Sequence, residues 1–194
     1  MQNLYTHLIN REHPLPKDYI PEHLVDIGIP FDALPDDPKR LLEKRAAFAA
    51  LELISRSHRE GLNLCGISGY RSYQRQKELY TGSPYAAPPG TSEHQSGLAL
   101  DVSCPQVHME LTTDFAETRE GIWLARHAPL YGFILRYPAN KEHITRVPYE
   151  PWHIRYVTKP LASCLSLTGI TLEEYYTIQE ENLRTGTDKR TPTR

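Results

Sequence analysis

Residues 92–103 read Ser-Glu-His-Gln-Ser-Gly-Leu-Ala-Leu-Asp-Val-Ser, and this stretch decides the fold. From Gly97 to Ser103 large apolar residues alternate with small or polar ones, which is the period of a β-strand. One face of that strand carries leucine and valine for a core, whereas the other carries only small residues and Asp101. His94 stands just before the strand. The pattern predicts a strand whose small-residue face has room for an ion and a substrate.

Three further strands are predicted in the rest of the chain. They lie at residues 62–70, 133–137 and 152–157, where short apolar runs are bounded by glycine or proline. The strands are joined by helices and long irregular connections, without the regular strand–helix alternation of a parallel sheet and without a glycine-rich phosphate loop. We therefore predict a single α+β domain with a central antiparallel β-sheet flanked by helices.

Four helices are predicted, at residues 37–61, 72–80, 113–128 and from 171 onward. Asp37 can cap the first helix and Gly61 can end it, whereas Ser72 can cap the second. Thr171 and Glu174 form a capping box for the last helix. The apolar residues of the first helix that recur at helical intervals, and are expected to face the core, are Leu41, Leu42, Ala46, Phe48, Ala49, Leu51 and Leu53.

Proline content and polarity divide the chain into three segments. Residues 1–36 hold five prolines and little periodicity, which indicates an extended arm packed on the domain. Residues 37–181 form the domain itself. Residues 182–194 are polar and net basic, and we expect them to be a disordered tail. The loop at 81–91 is rich in proline and glycine and is expected to border a site.

Composition excludes several classes of function. Lys and Arg number 22 against 24 Asp and Glu, so the basic excess typical of nucleic-acid-binding proteins is missing. No window approaches the ~20 apolar residues of a membrane span. No basic run followed by an apolar segment opens the sequence, so we expect a cytoplasmic protein as the sequence stands, or an extracytoplasmic one if an export segment was removed. Nine histidines raise the question of metal binding.

A second stretch, Glu-Pro-Trp-His at residues 150–153, combines a carboxylate with an imidazole. A hydrolytic zinc site needs three protein ligands, a position open to water and a further carboxylate that takes the proton of that water. His94, Asp101 and His153 could supply the ligands, and Glu150 the base. In a regular strand Glu150 and His153 would point to opposite faces, but a bend or a strand entry at Pro151 could turn Glu150 back toward the metal. Each residue alone is more typical of an ordinary surface or core position than of a metal site, and only the joint pattern favours the metal site.

Taken together, these motifs resemble those of the VanY-type zinc D-alanyl-D-alanine carboxypeptidases. The pattern is Ser-x-His-x-x-Gly-x-Ala-x-Asp at residues 92–101, followed by Glu-x-Trp-His at 150–153. The resemblance covers about residues 8–160 and extends to VanX-type dipeptidases, bifunctional VanXY-type enzymes and L,D-carboxypeptidases, with a metal site shared with the hedgehog domain. Further blocks in the order of the family lie at residues 10–16, 68–72, 76, 131–133, 136–138 and 155–157.

The resemblance implies one Zn²⁺ per chain, bound by His94, Asp101 and His153, with Glu150 as catalytic base. It also implies that Arg71 polarises the scissile carbonyl and stabilises the oxyanion. The residues implied on the substrate side are Ser92, for a terminal carboxylate, and Tyr70, Gln76 and Trp152 as lining. His108, His127 and His143 match no motif position and are expected at the surface.

The activity implied is that of a zinc-dependent D,D-carboxypeptidase removing the C-terminal D-alanine from peptidoglycan precursor peptides. Two alternatives within the family stay open, an L,D-carboxypeptidase acting on tetrapeptides and a bifunctional D,D-dipeptidase/carboxypeptidase. Ser68 stands where dipeptidase-type members are expected to have aspartate, which counts against a dedicated dipeptidase. A third alternative is a non-catalytic zinc-dependent binding domain of hedgehog type, which needs neither Glu150 nor Arg71.

The expected partner is a peptidoglycan stem peptide or precursor, with no nucleic acid and no membrane span. The sequence leaves open the oligomeric state and any link to antibiotic resistance. One departure from the family lies at Thr158, where members commonly have glycine. Because it follows the last motif, we expect it to affect only a turn.

Overall fold

The computed structural model of the chain describes residues 4–26, 28–82 and 86–188. Within these residues six strands form, Leu24–Val25 (β1), Leu42–Glu43 (β2), Cys65–Ser68 (β3), Ala99–Ser103 (β4), Phe133–Tyr137 (β5) and Glu150–Tyr156 (β6). They are accompanied by six α-helices, Lys44–Arg59 (α1), Tyr73–Leu79 (α2), Arg119–His127 (α3), Glu142–Thr145 (α4), Lys159–Thr168 (α5) and Leu172–Asp188 (α6). Short 3-10 turns connect several of these elements.

The four longer strands form one antiparallel sheet in the order β3-β4-β6-β5, which confirms the predicted fold class. β4 and β6 lie at its centre, and Asp101 on β4 is directly opposite His153 on β6. Side chains of directly opposite residues share a face, with their Cβ atoms about 5 Å apart. The register of two central strands therefore brings two of the predicted metal ligands together. β1 and β2 form a separate two-stranded ribbon.

The pairing of β5 with β6 is interrupted beside the proline of the Glu-Pro-Trp-His motif. Leu135 is opposite Ile154, whereas Tyr137 is opposite Glu150, so four steps along β6 correspond to two along β5. The extra residues of β6 form a bulge, which breaks the strict alternation of side chains between the two faces. The bend predicted at Pro151 is therefore present, and Glu150 and His153 can face the same side.

The main core fills the space between the sheet and helices α1 and α3. Leu100 and Val102 of β4 are fully buried in this core, as their alternation predicts. Because they point into the core, Asp101 between them points to the opposite face of the strand, where the site is built. A second apolar cluster joins β5, α5 and the start of α6 to the N-terminal arm; its buried members are Leu8, Ile134, Val157, Leu161, Ala162, Leu165 and Leu172.

The first helix begins later than its sequence predicts. Asp37 caps only the 3-10 turn Pro38–Arg40, where it accepts a hydrogen bond from the backbone N of Lys39. The chain then pairs with the N-terminal arm as β2, and the Glu43 side chain caps α1 by accepting from two backbone N–H groups. A partner strand far away in sequence thus outweighs a good local cap, which local pattern analysis cannot detect.

The inward face of α1 also differs from the predicted one. Phe48 is 52% exposed, so its assignment to the core face was wrong; Leu41 and Leu42 precede the helix, although Leu42 is buried in the main core as expected. Alanine and serine side chains make up most of the buried face. The buried residues of this face are Ala46, Ala47, Ala49, Ala50, Leu53, Ile54 and Ser57.

Two other helical predictions needed correction. The segment 113–128 is not one helix, because Thr118 starts a new helix, α3, by accepting a hydrogen bond from the backbone N of Gly121. The residues before it form the 3-10 turn Thr113–Glu117. Helix α5 had not been predicted at all; it is short and carries proline in its first turn. The helix capped by Ser72 is present as α2.

The last helix, α6, begins with the predicted capping box. Glu174 accepts a hydrogen bond from the backbone N of Thr171, and Thr171 accepts one from the backbone N of Glu174. The helix continues past residue 182, where we had placed a disordered tail, with Arg184 and Glu180 at helical i,i+4 spacing forming an ion pair of 3.7 Å. Residues 182–188 are therefore helical, and 189–194 lie outside the described residues.

The N-terminal arm is attached to the domain by buried apolar side chains, among them Leu8 and Ile29, and by hydrogen bonds to its backbone. Gln95 donates to the carbonyl oxygens of Pro16 and Tyr19, at 2.8 and 3.2 Å, and Arg155 donates to that of His7 at 3.0 Å. Of the loop at 81–91, residues 83–85 lie outside the described part of the chain. None of the helices described here has the length and apolar character needed to span a bilayer.

Candidate active site

Three buried side chains, His94, Asp101 and His153, converge on one point. Each offers one ligand atom, and these atoms all lie within 4.8 Å of one another. Asp101 and His153 come from the central strands, and His94 comes from the 3-10 turn Glu93–Ser96 that leads into β4. The structure thus brings together the three residues that the sequence predicts as metal ligands.

His94 is oriented by the backbone. Its Nδ1 lies 2.7 Å from the carbonyl oxygen of Gly69, which can only accept, so Nδ1 carries the proton and Nε2 is free to bind a metal. Nε2 faces Oδ2 of Asp101 at 3.2 Å. The turn ends at Gly97 with φ of 68°, and a Cβ at that position would lie 2.9 Å from the backbone N of Glu43. Both facts require glycine at this position of the motif.

His153 presents its other ring nitrogen. Its Nδ1 lies 2.8 Å from Oδ1 of Asp101, whereas its Nε2 points away toward Oε2 of Glu93, at 3.5 Å. The rings of His94 and His153 meet edge to face, with centroids 5.0 Å apart. The set offered to an ion therefore consists of Nε2 of His94, a carboxylate oxygen of Asp101 and Nδ1 of His153.

This donor set fits Zn²⁺, which takes three nitrogen and oxygen ligands in catalytic sites and leaves a fourth position open. In both histidines the second ring nitrogen faces an oxygen acceptor, as is usual for metal-bound imidazoles. Burial lowers the pKa of His94, which keeps it neutral and ready to bind. Burial alone would raise the pKa of Asp101, but the two histidines hold it well below its usual range.

His153 differs from His94 in its charge when no metal is bound. Burial alone would lower its pKa, but hydrogen bonds to Asp101 and Glu93 raise the pKa to about 10. The imidazole is therefore protonated at neutral pH, with a proton lying between Nδ1 and Asp101. An ion that binds at Nδ1 must replace this proton, so metal binding at this site is coupled to proton release.

Glu150 lies beside the three ligands without belonging to their set. The bulge in β6 turns it toward the site, where its Oε2 is 3.9 Å from Nδ1 of His153. It is 7% exposed, and this burial raises its pKa to about 7. A carboxylate of that pKa next to a metal site is suited to general-base catalysis near neutral pH.

Arg71 approaches the same cavity from the segment between β3 and α2. Its guanidinium donates to Oγ of Ser68 and to Oε1 of Gln76, each at 3.0 Å. Gln76 is itself held by a 2.7 Å hydrogen bond to the carbonyl oxygen of Ala87. Both partners of the guanidinium are neutral, so its positive charge is fixed in place but not compensated by them.

A buried ion cluster lies behind the ligands. Burial alone would raise the pKa of Glu93, but Arg136 and Arg155 hold it well below its usual range. Nε of Arg136 donates to Oε1 of Glu93 at 2.8 Å, and Nη1 of Arg155 lies 2.9 Å from the same oxygen. Arg136 also forms a two-pronged pair with Glu173 of α6, at 2.9 and 2.6 Å. Two carboxylates thus balance two guanidinium groups.

The site opens into a cavity of about 740 Å³. Ser92 and Trp152 border it, whereas Tyr70 and Gln76 are not among its lining residues. Gln76 lies behind Arg71 and acts on it, so the structure does not support the expected direct contact with substrate. Of the histidines expected at the surface, His143 is exposed but also borders this cavity.

Sequence reasoning missed the members of the ion cluster. Arg136 and Arg155 stand inside short apolar strands, where a charged residue is buried only if it is paired. That placement was the available signal, because a charge in a strand interior requires an opposite charge nearby. Glu93 stood inside the quoted motif but received no role, since nothing in a single sequence links it to residues about 40 and 60 positions away.

Comparison with known proteins agrees with this geometry. The family model VanY, described as D-alanyl-D-alanine carboxypeptidase, matches residues 39–159, more than half of the chain. This chain belongs to the VanY family. All three candidate metal ligands, Glu150 and Arg71 lie within the matched residues. The resemblance deduced from the motifs is therefore confirmed.

Curated members of the VanY family are similar over most of this chain. Putative carboxypeptidase YodJ of Bacillus subtilis (strain 168) is 41% identical over 179 residues, covering 87% of this chain and 66% of YodJ. A D-alanyl-D-alanine carboxypeptidase of Enterococcus faecium is 35% identical, covering 87% and 56%. The bifunctional VanXYC of Enterococcus gallinarum is 33% identical, covering 91% and 96%. The chain thus spans less than two thirds of the first two relatives.

Several solved structures share the fold of this chain. The LdcB LD-carboxypeptidase matches with a TM-score of 0.84 and 40% identity, over 88% of this chain and 84% of that one. A mutant of the vancomycin resistance D,D-pentapeptidase VanY in complex with Zn(II) matches with a TM-score of 0.73 and 30% identity, over 90% and 99%. VanYB in complex with D-alanine-D-alanine gives the same TM-score and identity, over 90% and 98%.

Proposed function

We propose that this chain is a zinc-dependent carboxypeptidase that hydrolyses the last peptide bond of a peptidoglycan stem peptide and releases D-alanine. The observation that carries the proposal is the convergence of His94, Asp101 and His153, with Glu150 and Arg71 bordering the same cavity. A non-catalytic binding domain would need no buried carboxylate beside the metal ligands and no uncompensated guanidinium facing them. Zn(II) bound to one VanY relative supports the choice of metal.

The residues divide the chemistry among them. Zn²⁺ held by the three ligands supplies Lewis acidity, which makes water more acidic and a carbonyl carbon more electrophilic. Glu150, with its pKa raised to about 7, accepts the proton of the attacking water and then delivers it to the amine of the departing D-alanine. The guanidinium of Arg71 donates to the carbonyl oxygen, where negative charge develops during attack.

The C-terminal carboxylate of the substrate needs its own partner in the cavity. Ser92 is 5% exposed and borders the cavity two residues before His94. Its hydroxyl forms no cap within the turn that it opens, so it is available to donate to a carboxylate. Trp152, on the bulge of β6, supplies an apolar wall beside the ligands.

The shortened tetrapeptide is favoured as substrate over the pentapeptide expected from the motifs. The observation is the greater likeness to the LD-carboxypeptidase LdcB, with a TM-score of 0.84 and 40% identity, than to the D,D-pentapeptidase VanY, with 0.73 and 30%. D,D-carboxypeptidase activity on the pentapeptide is the second candidate. The hydroxyl of Ser68 accepts a hydrogen bond from Arg71, and serine offers no carboxylate for the free amine of a dipeptide. D-Ala-D-Ala should therefore be the poorest of the three substrates.

The test is an assay of free D-alanine with purified, zinc-loaded protein and three matched substrates: pentapeptide, tetrapeptide and D-Ala-D-Ala. We expect release from the tetrapeptide with the highest kcat/KM. Preferential release from the pentapeptide would identify the chain as a D,D-carboxypeptidase and overturn the preference for the tetrapeptide. Release from none of the substrates would overturn the proposed activity. As control, Glu150→Gln removes the base but keeps the size of the side chain, and should lower kcat by about 10²- to 10⁴-fold while zinc remains bound.

A further inference from the structure

Glu93 lies at the junction between the metal ligands and the ion cluster, and the proposed chemistry does not use it. Its side chain is fully buried, next in sequence to the ligand His94. A carboxylate in such surroundings is retained only when its partners compensate for the lost water. Its partners therefore define what it does.

The two oxygens of Glu93 have different partners. Oε1 faces both guanidinium groups, with Nε of Arg136 at 2.8 Å and Nη1 of Arg155 at 2.9 Å. Oε2 faces Nε2 of His153 at 3.5 Å. Because the guanidinium groups only donate, they hold the carboxylate in a fixed orientation as an acceptor. Oε2 can then only accept a proton from the imidazole.

Glu173 keeps the charge of Glu93 available to the imidazole. Two arginines against one carboxylate would leave a net positive charge behind the ligands. The two-pronged pair of Arg136 with Glu173 removes this excess, since it adds a second carboxylate to the same guanidinium. Helix α6 thus contributes to the electrostatics of the site through one arginine, although it carries none of the ligands.

We propose that Glu93 is a positioning residue that fixes His153 as an Nδ1 ligand by accepting the proton of Nε2. This inference rests on the proposed function only in taking the three-residue set as the metal site. A neutral imidazole has one proton, and its location decides which nitrogen has a free electron pair. With the proton directed to Glu93, the pair on Nδ1 points to Asp101 and the ion.

The two ligand histidines make a useful internal contrast. His94 binds through Nε2 and is oriented by the carbonyl oxygen of Gly69, a backbone group that no substitution removes. His153 binds through Nδ1 and is oriented by a side chain. Substitution of Glu93 therefore changes the orientation of one ligand and leaves the other as an internal control.

The variant that tests the inference is Glu93→Gln. The two arginines require an acceptor, so they take the amide oxygen and leave the amide NH₂ facing Nε2 of His153. An NH₂ group favours a free electron pair on Nε2 and hence a proton on Nδ1, the nitrogen that must bind the ion. We expect the Kd for Zn²⁺ to rise about 10- to 100-fold, the range typical when such a partner of a metal ligand is lost.

The matched control is Glu173→Gln, which disturbs the other end of Arg136 without touching His153. We expect its Kd for Zn²⁺ to rise by a clearly smaller factor than in Glu93→Gln, because it removes the same charge from the cluster but leaves the acceptor of the His153 proton in place; competition with a chromogenic chelator measures both values. Equal losses of affinity in the two variants would overturn the proposal, because they would reflect the stability of the cluster and not the imidazole. Unchanged affinity in Glu93→Gln would overturn it as well.

A spectroscopic measurement on the unsubstituted protein tests the same point without any variant. With ¹¹³Cd²⁺ in place of zinc and ¹⁵N-labelled histidine, we expect metal coupling to Nδ1 of His153 and to Nε2 of His94, and a slowly exchanging proton on Nε2 of His153. Coupling to Nε2 of His153 overturns the inference but leaves the proposed function intact. Failure of the full chain to bind zinc or cadmium at one ion per chain overturns both.

Discussion

The two sides of the cavity hold their functional groups in opposite ways. On the inner side His153 is backed by Glu93, a charged and fully buried carboxylate compensated by two arginines. On the outer side Arg71 is held by Ser68 and Gln76, which are neutral. Both groups are fixed by hydrogen bonds, so the difference lies in charge and not in rigidity.

This difference follows from what each group has to do. A metal ligand works as a neutral imidazole, and a carboxylate behind it raises its basicity. Arg71 acts through its charge, and a carboxylate partner would neutralise that charge before the substrate arrives. Neutral partners orient the guanidinium without this loss. The side chain that positions His153 is therefore charged, whereas the two that position Arg71 are neutral.

The largest effect is expected from removing the inner group itself. His153→Ala deletes one of three ligands together with its contacts to Asp101 and Glu93, so zinc binding and turnover should both be lost. Metal content of the purified protein and release of D-alanine measure the two effects. His143→Ala, which changes an exposed histidine of the same cavity, should retain zinc. A His153→Ala variant with a full complement of zinc contradicts the ligand assignment.

On the outer side, Arg71→Met separates catalysis from metal binding. The methionine fills space but cannot stabilise the oxyanion, so kcat/KM should fall about 10²- to 10³-fold, as for loss of an oxyanion donor. The affinity for Zn²⁺ should stay the same, because Arg71 does not orient any ligand side chain. If zinc affinity fell together with activity, the two sides of the cavity would not be independent as described.

A smaller effect is expected when Arg71 is given a charged partner, as His153 has in Glu93. Gln76→Glu places a carboxylate on Nη1 of Arg71, and this pair competes with the substrate for the guanidinium charge. Because charge-assisted hydrogen bonds contribute about 1.5–3 kcal/mol, we expect kcat/KM to fall by about tenfold or more. Steady-state kinetics with the preferred peptide measures the loss. Activity equal to that of the unsubstituted protein would show that neutrality of this partner is irrelevant.

The smallest effect on activity is expected outside both regions, at Thr158. This residue follows β6 with φ of 79° and ψ of 152°, a conformation that is costly for any residue except glycine. Thr158→Gly should raise the free energy of unfolding by about 1 kcal/mol, since the relieved strain exceeds the added backbone freedom. Chemical denaturation measures the gain, and kcat/KM should not change. A lower free energy of unfolding in Thr158→Gly would show that the backbone of Thr158 is not strained.

The parts of the site that sequence predicts are those encoded locally. Alternation around Asp101 predicts its face correctly, and the proline between Glu150 and His153 indicates the bulge that unites them. The predicted start of α1 at Asp37 was wrong. Asp37 is a good helix cap, but the residues of β2 that follow it pair with β1 of the arm. Local patterns contain no information on such long-range pairing.

The ion cluster illustrates the same limit in energetic terms. Arg136 and Arg155 are charged residues in apolar strands, which signals that a partner exists but not which one. Glu93 and Glu173 satisfy them from a turn before β4 and from the last helix, respectively. The metal ligands were identified through a recurring motif, whereas the pairing of these charges depends on the complete fold.

The attachment of the N-terminal arm has a consequence for how this protein can vary. Arg155 and Gln95 are buried beside the metal ligands, and they hold the arm through the carbonyl oxygens of His7, Pro16 and Tyr19. Every residue type has such an oxygen, so these three positions can change their side chains without releasing the arm. We therefore expect substitutions to be tolerated at the three acceptor positions. Substitutions of the donors, Arg155 and Gln95, should not be tolerated, because they remove the hydrogen bonds.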